Sequence, residues 1–268
     1  MVDGSGDQPK IDTTVPHVAR IWNYWLGGKD NYEVDQQVGD EITRMLPTVP
    51  VLARASRQFL NRAVSHLAGE AGVRQFLDVG TGLPTVDNTH EVAQRLAPDA
   101  RIVYVDNDPL VLVHAQAMLT STEEGACDYI DADLRNPEYI LENAARTLDF
   151  DRPVALMLMG ILEFITDDEE AYRIVDHLVG ALAPGSYLVM YDGTNVIHGE
   201  ASDRIVEVWN ESGNAPLVLR SPEQIARFFK GLDFLEPGLV PVSQWRPDPN
   251  PFGEPEAVDA YGAVGRKP

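Results

Sequence analysis

The segment from residue 75 to residue 84 reads Gln75-Phe76-Leu77-Asp78-Val79-Gly80-Thr81-Gly82-Leu83-Pro84. The mostly apolar run before the glycines is short and bounded by turn residues, which is typical of a buried parallel strand. Gly80 and Gly82 allow backbone angles that other residues resist, and they let a ligand approach the main chain. Thr81 or Thr85 would cap a following helix. The segment therefore predicts a strand, a glycine turn and a helix N-terminus, which together form a nucleotide site.

Two cofactor classes fit this turn. The dinucleotide fingerprint is Gly-x-Gly-x-x-Gly, and Thr85 stands at its last position, so the match is partial. The first motif of methyltransferases that use S-adenosylmethionine is Asp-x-Gly-x-Gly-x-Gly. Asp78, Gly80 and Gly82 match that motif, and Pro84 replaces its third glycine. The acid favours the second class, because this cofactor has a cationic sulfonium and no pyrophosphate for Asp78 to repel.

Composition limits the classes of protein and of partner. The chain has 268 residues, 44% of them hydrophobic, enough for one large α/β domain with an extension or for two small domains. The formal charge is −21, and such a surface repels phosphate backbones, so we expect no nucleic-acid partner. The single Cys127 excludes an intramolecular disulfide and a cysteine-rich zinc site, and we expect no metal. Without an apolar run of roughly 20 residues or a signal-peptide pattern, we expect a cytoplasmic protein and no membrane partner.

Acids follow the next two predicted strands. A strand at residues 101–106 ends in Asp106, at the spacing from the glycines where a carboxylate accepts both ribose hydroxyls. Asn107 comes next and is a further candidate contact. A third short strand leads to Asp133, which would accept the adenine amino group, while the N–H of Leu134 reaches a ring nitrogen. The alternative is that Asp133 caps the next helix.

Candidate catalytic residues follow the fourth and fifth strands. The apolar run at residues 154–159 is predicted to be central and buried, and it ends at Gly160, a candidate cofactor contact. Glu163 shortly after it is a candidate acid or base. His198, beyond the strand at residues 186–192, is a candidate base. For each of them the alternative is an ordinary loop residue, and a lone loop histidine is more often a surface residue, so the catalytic residue stays open.

Helices are predicted before the glycine turn. The sequence indicates a disordered tail at residues 1–10, a helical lid or extension at residues 11–70, and a cofactor-binding domain at residues 71–268. Tyr24 would either contact a flat, partly apolar acceptor or stabilise the sulfonium by a cation–π contact, and Lys29 would meet a carboxylate. The alternative is that these helices only pack on the main domain.

The alternation of strands and helices predicts a doubly wound, mostly parallel, Rossmann-like α/β sheet of seven strands with an N-terminal helical extension. The last two strands, at residues 239–245 and 260–264, are predicted to form an antiparallel edge hairpin around a proline-rich loop.

The chain resembles a bacterial family of S-adenosylmethionine-dependent methyltransferases that was long described as a domain of unknown function. Four stretches, which span nearly the whole chain, carry the resemblance: Trp22-Asn23-Tyr24-Trp25-Leu26-Gly27-Gly28-Lys29-Asp30-Asn31-Tyr32, Asp78-Val79-Gly80-Thr81-Gly82-Leu83-Pro84-Thr85, Val103-Tyr104-Val105-Asp106-Asn107-Asp108-Pro109 and Pro237-Gly238-Leu239-Val240-Pro241-Val242. The first is the most specific, because the general cofactor motif does not explain it. In this family proline is the usual residue at position 84.

The resemblance implies a class I methyltransferase fold, with S-adenosylmethionine as cofactor and S-adenosylhomocysteine as product. It implies cofactor contacts at Gly80, Gly82, Asp106 and Asp133, and it implies no particular acceptor. We expect a methyltransferase that acts on a small molecule. The alternatives are an NAD-dependent oxidoreductase and a non-catalytic sensor of S-adenosylmethionine or its demethylated product. The acceptor, the methylated atom and the oligomeric state stay open.

Overall fold

The computed structural model describes residues 12–118, 120–251 and 253–268, and the tail predicted at residues 1–10 lies outside the described residues. The α-helices of the described chain are α1 (Val18–Trp25), α2 (Glu33–Met45), α3 (Val49–Gly69), α4 (Thr89–Leu96), α5 (Pro109–Met118), α6 (Pro137–Ala144), α7 (Asp168–Gly180), α8 (Glu200–Glu211) and α9 (Pro222–Arg227). The strands are β1 (Gln75–Val79), β2 (Arg101–Asp106), β3 (Ala126–Asp131), β4 (Ala155–Met159), β5 (Tyr187–Gly193), β6 (Asp233–Phe234), β7 (Val240–Pro241) and β8 (Ala260–Arg266).

The strands form one mixed sheet in the order β3-β2-β1-β4-β5-β8-β6. Strands β1 to β5 pair in parallel, and a helix separates each from the next along the chain. Strand β8 runs antiparallel to β5. The predicted doubly wound, mostly parallel sheet is confirmed. Because the chain order reverses beside β1, the carboxyl ends of β1 and its neighbours open onto one crevice.

The strand count differs from the prediction of seven, because the sheet has eight strands. The outer position beside β8 is shared by two short strands, β6 and β7, which pair with opposite ends of β8. A turn with Gly238 at φ +86° separates the two strands. The predicted strand at residues 239–245 shortens to β7, since Val242–Gln244 is a 3-10 turn. The predicted edge hairpin is also wrong, because β8 is not at the edge of the sheet. It pairs with β5 as well as with β7.

Both faces of the parallel sheet are covered by apolar helices. Alternate strand residues such as Leu77 and Leu156 pack with α6, α7 and α9 on one face. Their neighbours Phe76 and Met157 pack with α3 and α4 on the other face. All residues of β1 are buried, as the apolar run predicted. Burial on both faces fixes the ends of these strands and therefore the positions of the residues that follow them.

Two helices differ from the sequence analysis. Helix α4 begins at Thr89 rather than at the glycine turn, because Asn88 and Glu91 form a reciprocal capping box that starts the helix there. The side chain of Asn88 also accepts the N–H of Thr85 at 3.0 Å, which fixes the loop before the helix. Helix α6, the helix expected after Asp133, begins only at Pro137, because Asn136 caps it.

The N-terminal helices pack in two ways. Helix α3 lies on the sheet, where the ring of Phe59 meets that of Trp245 edge-on at 5.4 Å between centroids. Helices α1 and α2 instead form a separate apolar cluster with Phe164 and Trp209. The helical extension is therefore anchored through α3, and α1 and α2 lie over the loops at the carboxyl ends of the strands. The domain boundary near residue 70 stays a prediction.

Candidate active site

A cavity of about 310 Å³ lies at the carboxyl ends of β1 to β5. We call one side of it the β3 end, which is lined by Ala132, Asp133, Leu134 and Arg135. We call the other side the β5 end, which is lined by Ser56, Arg57, Leu60, Met159, Tyr191, Ala215 and Pro216. Helix α1 covers the space between them with one face: Val18, Ala19, Trp22, Asn23 and Leu26. A cavity of this size is in the range of ligand pockets.

The glycine turn after β1 has two glycines with positive φ, +78° at Gly80 and +66° at Gly82. A Cβ at Gly80 would lie 2.6 Å from the side chain of Ile161, so this glycine lets the loop after β4 pack on the turn. A Cβ at Gly82 would project into open space. Gly82 therefore leaves room for a ligand, whereas Gly80 makes room for protein.

Asp106 ends β2 and points into the cavity beside the glycine turn. Its Oδ2 atom accepts the N–H of Gly82 at 2.7 Å, and its Oδ1 atom accepts the N–H of Asp108 at 3.0 Å. Burial raises the pKa of Asp106, and these two hydrogen bonds act against that rise. The carboxylate is therefore held in one orientation, with acceptor lone pairs still available to ligand hydroxyls.

Asp78 is buried beneath the same turn. Its Oδ2 atom accepts the hydroxyl of Thr89 at 2.6 Å. Burial raises the pKa of Asp78 to about 6, and the hydrogen bond from Thr89 and the charge of Arg57 act against that rise. A group with this pKa is largely ionised at neutral pH, so the floor of the cavity carries negative charge close to Asp106.

The β3 end places Asp133 and Leu134 together in the cavity wall, with Asn107 beside them. The Oδ1 atom of Asp133 accepts the N–H of Arg135 at 2.8 Å. The alternative role for Asp133, capping α6, is wrong, because Asn136 caps that helix. Gly160 also lines the cavity, and a Cβ there would lie 2.7 Å from the hydroxyl of Tyr191.

Two predicted cofactor contacts do not line this cavity. The hydroxyl of Tyr24 donates to Oδ1 of Asp40 at 2.6 Å, on the face of α1 that meets α2. Lys29 is exposed and stands outside the cavity wall. For Tyr24 the helical period explains this, because Trp22 and Leu26 lie on the cavity face of the segment four residues apart and Tyr24 lies between them. Lys29 lies in the loop after α1. We therefore leave both out of the contacts proposed below.

The stretch around Gly28 has a structural function instead. The side chain of Asn23 accepts the N–H of Asp30 at 3.0 Å and the amide of Asn31 at 2.9 Å. A Cβ at Gly28 would lie 2.4 Å from that side chain, so a larger residue would displace Asn23. Asn23 also lines the cavity, and the loop after α1 is thus tied to the cavity face of the helix.

Neither catalytic candidate reaches the cavity wall. Glu163 is buried against Gly193, and burial together with the charge of Asp192 raises its pKa. Arg220 is completely buried and donates to Oδ2 of Asp192 at 2.8 Å and to the carbonyl of Leu162 at 2.8 Å. This cluster holds the loop after β4 to β5 behind the cavity.

His198 is also engaged away from the cavity. Its Nδ1 atom lies 2.7 Å from Oδ2 of Asp259, which also accepts the hydroxyl of Ser202 at 3.0 Å. The backbone N–H of Ile197 donates to the other oxygen of Asp259 at 2.7 Å. Asp259 therefore anchors the loop that carries His198, and we assign no catalytic function to Glu163 or His198.

Several cavity residues were not singled out as site residues from the sequence. They are His17, Trp22, Asn23, Ser56, Arg57, Arg135 and Tyr191. His17 precedes α1, and its Nδ1 atom lies 2.9 Å from Oδ2 of Asp108, which joins the start of α1 to the loop after β2. For α1, one indication of these residues was present in the sequence. They recur at helical spacing within the stretch that is most specific to the family. Arg57 and Tyr191 gave no comparable signal.

The donors and acceptors of the cavity suit S-adenosylmethionine. Buried carboxylates at Asp78 and Asp106 favour hydroxyl and cationic groups, and they disfavour the pyrophosphate of a dinucleotide. Open space above Gly82 leaves the main chain accessible. Within the described part of the chain, no group of three or more His, Cys, Asp and Glu side chains is placed to hold a metal ion. The fold and this site define a class I methyltransferase.

Comparison with known proteins assigns the family. A family model described as S-adenosyl methyltransferase matches residues 5–268, and the chain belongs to this family. The cofactor is S-adenosylmethionine, and the comparisons give no support to an NAD-dependent oxidoreductase or to a sensor. No curated protein matches the chain. Across the described residues, no helix has the length and apolar character needed to cross a membrane.

Solved structures agree with this assignment. A DUF574 family protein from Streptomyces avermitilis is 45% identical, with a TM-score of 0.92, and the match covers 97% of this chain and 100% of that one. A proposed methyltransferase from Thermobifida fusca YX is 40% identical, with a TM-score of 0.88, and the match covers 98% of this chain and 99% of that one. A methyltransferase from Anabaena variabilis, 15% identical over 97% of both chains with a TM-score of 0.53, shares the fold.

Proposed function

We propose that this protein transfers the methyl group of S-adenosylmethionine to a small molecule that enters the β5 end of the cavity. The observation that carries the proposal is that a single cavity has two halves with different linings. The half near β1 to β3 is acidic, and the half near β5 is lined largely by apolar side chains. A mostly apolar pocket suits a small, partly apolar acceptor. The formal charge of −21 disfavours a nucleic acid there.

The cofactor would be held by residues at the ends of successive strands. Asp106 would accept the ribose hydroxyls, and Asp133 with the N–H of Leu134 would recognise the adenine edge. Asp78 would favour the cationic groups of the cofactor. The remaining proposed contacts are Gly80, Gly82, Asn107 and Gly160. Each of these residues lines the cavity, and this shared position supports their assignment.

Positioning supplies most of the proposed catalysis. When bound, S-adenosylmethionine supplies a methyl group already activated by the sulfonium. The chain itself would orient the acceptor and exclude water, which reduces the entropic barrier. Among the described residues of the β5 end there is no Asp, Glu or His side chain. The hydroxyl of Tyr191 remains neutral at physiological pH because burial raises its pKa, so it would act as a hydrogen-bond partner.

The test follows a labelled methyl group. The purified chain is incubated with S-adenosylmethionine labelled at the methyl carbon and with extract of the cells that produce the protein. The extract is then separated into small-molecule and macromolecular fractions. Label in the small-molecule fraction, lost with the Asp106→Ala variant, supports the proposal. Label in the macromolecular fraction would overturn the small-molecule acceptor. Tight cofactor binding with label in neither fraction would point to a sensor.

A further inference from the structure

Arg57 on α3 is a cavity residue with unused hydrogen-bonding capacity. Its Nη2 atom donates to the backbone carbonyl of Asp87 at 3.3 Å, which is a long hydrogen bond. Its Nε atom is buried and has no hydrogen-bond partner among the residues that the structure describes. A guanidinium group has five N–H donors, and a buried donor without a partner costs free energy. The side chain therefore has donors available for a ligand.

The other basic side chains of the cavity wall already have partners. Arg135 lies 3.5 Å from Oδ2 of Asp133 and donates to the carbonyl of Phe164 at 3.0 Å. His17 is paired with Asp108 at 2.9 Å. Across the residues that the structure describes, Arg57 forms no ion pair within 4.0 Å. The unpaired cation of the wall thus stands at the β5 end.

The other two arginines of α3 do not combine a position in the cavity wall with unused hydrogen-bond donors. Arg62, further along α3, donates to the carbonyls of Trp245 and Val242 at 2.8 and 2.7 Å. Arg54, one turn before Arg57, is exposed and does not line the cavity. One helix therefore carries a structural arginine, a solvated arginine and an arginine that faces the cavity.

The surroundings of Arg57 favour an anion with two oxygens. Ser56 and Tyr191 line the same end of the cavity, and the hydroxyl of Ser56 is already used, because it donates to the backbone carbonyl of Leu52 at 2.9 Å. Burial lowers the pKa of Arg57, and the charges of Asp78 and Asp87 act against that change. A guanidinium group stays protonated in proteins. Asp78 uses its Oδ2 atom for Thr89 and does not pair with Arg57.

We propose that Arg57, together with the hydroxyl of Tyr191, forms a carboxylate-binding subsite. A guanidinium group binds a carboxylate through two parallel hydrogen bonds, which matches its unused donors. The carboxylate belongs either to the amino-acid end of the cofactor or to the acceptor. The inference rests on the proposed function, because both sources are ligands of the same reaction. It gives to Arg57 the carboxylate contact that the sequence predicted for Lys29.

The first arm of the test measures ligand discrimination without turnover. Titration calorimetry compares S-adenosylhomocysteine with 5′-methylthioadenosine, which lacks the amino-acid end. Arg57→Gln removes the charge, and Arg54→Gln is the matched control on the same helix. If the cofactor supplies the carboxylate, Arg57→Gln weakens binding of S-adenosylhomocysteine by roughly tenfold to a hundredfold and leaves 5′-methylthioadenosine unchanged. Arg54→Gln changes neither affinity.

The second arm uses protein saturated with S-adenosylhomocysteine. Small aromatic carboxylic acids and their matching amides are titrated, and binding is measured by calorimetry. If the acceptor supplies the carboxylate, the wild type prefers acids to amides and Arg57→Gln loses that preference. Arg57→Lys replaces Arg57→Gln if the latter does not fold, and it is expected to keep part of the discrimination because it keeps the charge.

One combination of results from the two arms would overturn the proposal that Arg57 forms a carboxylate-binding subsite. Unchanged discrimination in both arms, in a variant that unfolds at the same temperature as Arg54→Gln, would show that Arg57 binds no carboxylate. Methyl transfer to a small molecule in the same variant would leave the proposed function intact. Absence of methyl transfer in the wild type would instead contradict the proposed function, whatever the first arm shows.

Discussion

The Oδ2 atom of Asp106 accepts a 2.7 Å hydrogen bond from the backbone N–H of Gly82. This bond joins the end of β2 to the glycine turn after β1, although the two residues are 24 positions apart in the chain. The carboxylate is thus oriented by the turn that leaves space for the ligand. A ribose would meet an acid that is already in place, which reduces the entropy lost on binding.

Replacement of this acid should weaken cofactor binding. We expect Asp106→Ala to lower the affinity for S-adenosylhomocysteine by well over tenfold, since hydrogen bonds to a charged group contribute about 1.5–3 kcal/mol. Calorimetric titration measures the change. Asp131→Ala is the matched control, because Asp131 pairs in register with Asp106 at the end of β3, is exposed, and does not line the cavity. Equal affinity for the two variants would remove Asp106 from the site.

Cofactor binding should depend on pH through Asp78. Its pKa is raised to about 6, so it becomes neutral as the pH falls through that value. We expect the affinity for S-adenosylmethionine, with its sulfonium charge, to fall by roughly tenfold between about pH 7 and about pH 5. S-adenosylhomocysteine lacks the sulfonium charge and should respond less. The variant Asp78→Asn should give a flatter profile for S-adenosylmethionine, and an unchanged slope would show that another group titrates.

Gly80 should be less tolerant of alanine than another glycine with positive φ. Gly213 has φ +88° and open space at its Cβ position, so Gly213→Ala should cost about 1 kcal/mol for the backbone angle alone. Gly80→Ala should cost a further 1–3 kcal/mol, roughly, because its Cβ meets Ile161. Urea unfolding of both variants measures the difference. Equal costs would mean that Ile161 moves away without penalty.

Glu163 should make stability depend on pH. Its pKa is raised in the folded state, so the folded chain holds a proton that the unfolded chain releases as the pH rises. This contribution is fully present below the ordinary carboxyl pKa and is lost as the pH rises through the raised value, between about pH 5 and about pH 8. We expect the free energy of unfolding to fall by a few kcal/mol over that range, to an order of magnitude.

The variant Glu163→Gln isolates this effect. It keeps the size of the side chain and removes its titration, so its free energy of unfolding should depend less on pH than that of the wild type. Glu142→Gln on α6 is the control, because Glu142 is exposed. Denaturant unfolding at several pH values measures the slopes, and parallel slopes for wild type and Glu163→Gln would contradict the buried, protonated state.

The parallel sheet could be predicted because its signal is local. The strands that carry Asp78 and Asp106 are short apolar runs, and burial on both faces of a sheet requires such runs. Strand β6 has no such signal, since Asp233 and Phe234 are both exposed and pair only with β8. The start of α4 was missed because the capping box at Asn88 outweighs the threonines near the glycine turn.

The residues of the site also differ in whether a local sequence pattern predicts them. Asp106 and Asp133 follow strands, so the sheet order alone brings them to one crevice. Arg57 and Tyr191 meet because α3 packs across the sheet, and no local pattern encodes that contact. Tyr24 was predicted to contact the cofactor but faces α2. One turn of α1 contains both residues that line the cavity and residues that face α2. The side of α1 that faces the cavity depends on its packing with α2 and α3, which the sequence pattern did not resolve.

The divided outer strand also affects how copies of the protein meet. A long, regular strand at the edge of a sheet offers a row of N–H and carbonyl groups that a strand of another molecule can extend, which leads to aggregation. Here β6 and β7 are two residues each. Pro241 in β7 has no N–H to donate. The interruption therefore protects this side of the sheet from strand addition at high protein concentration.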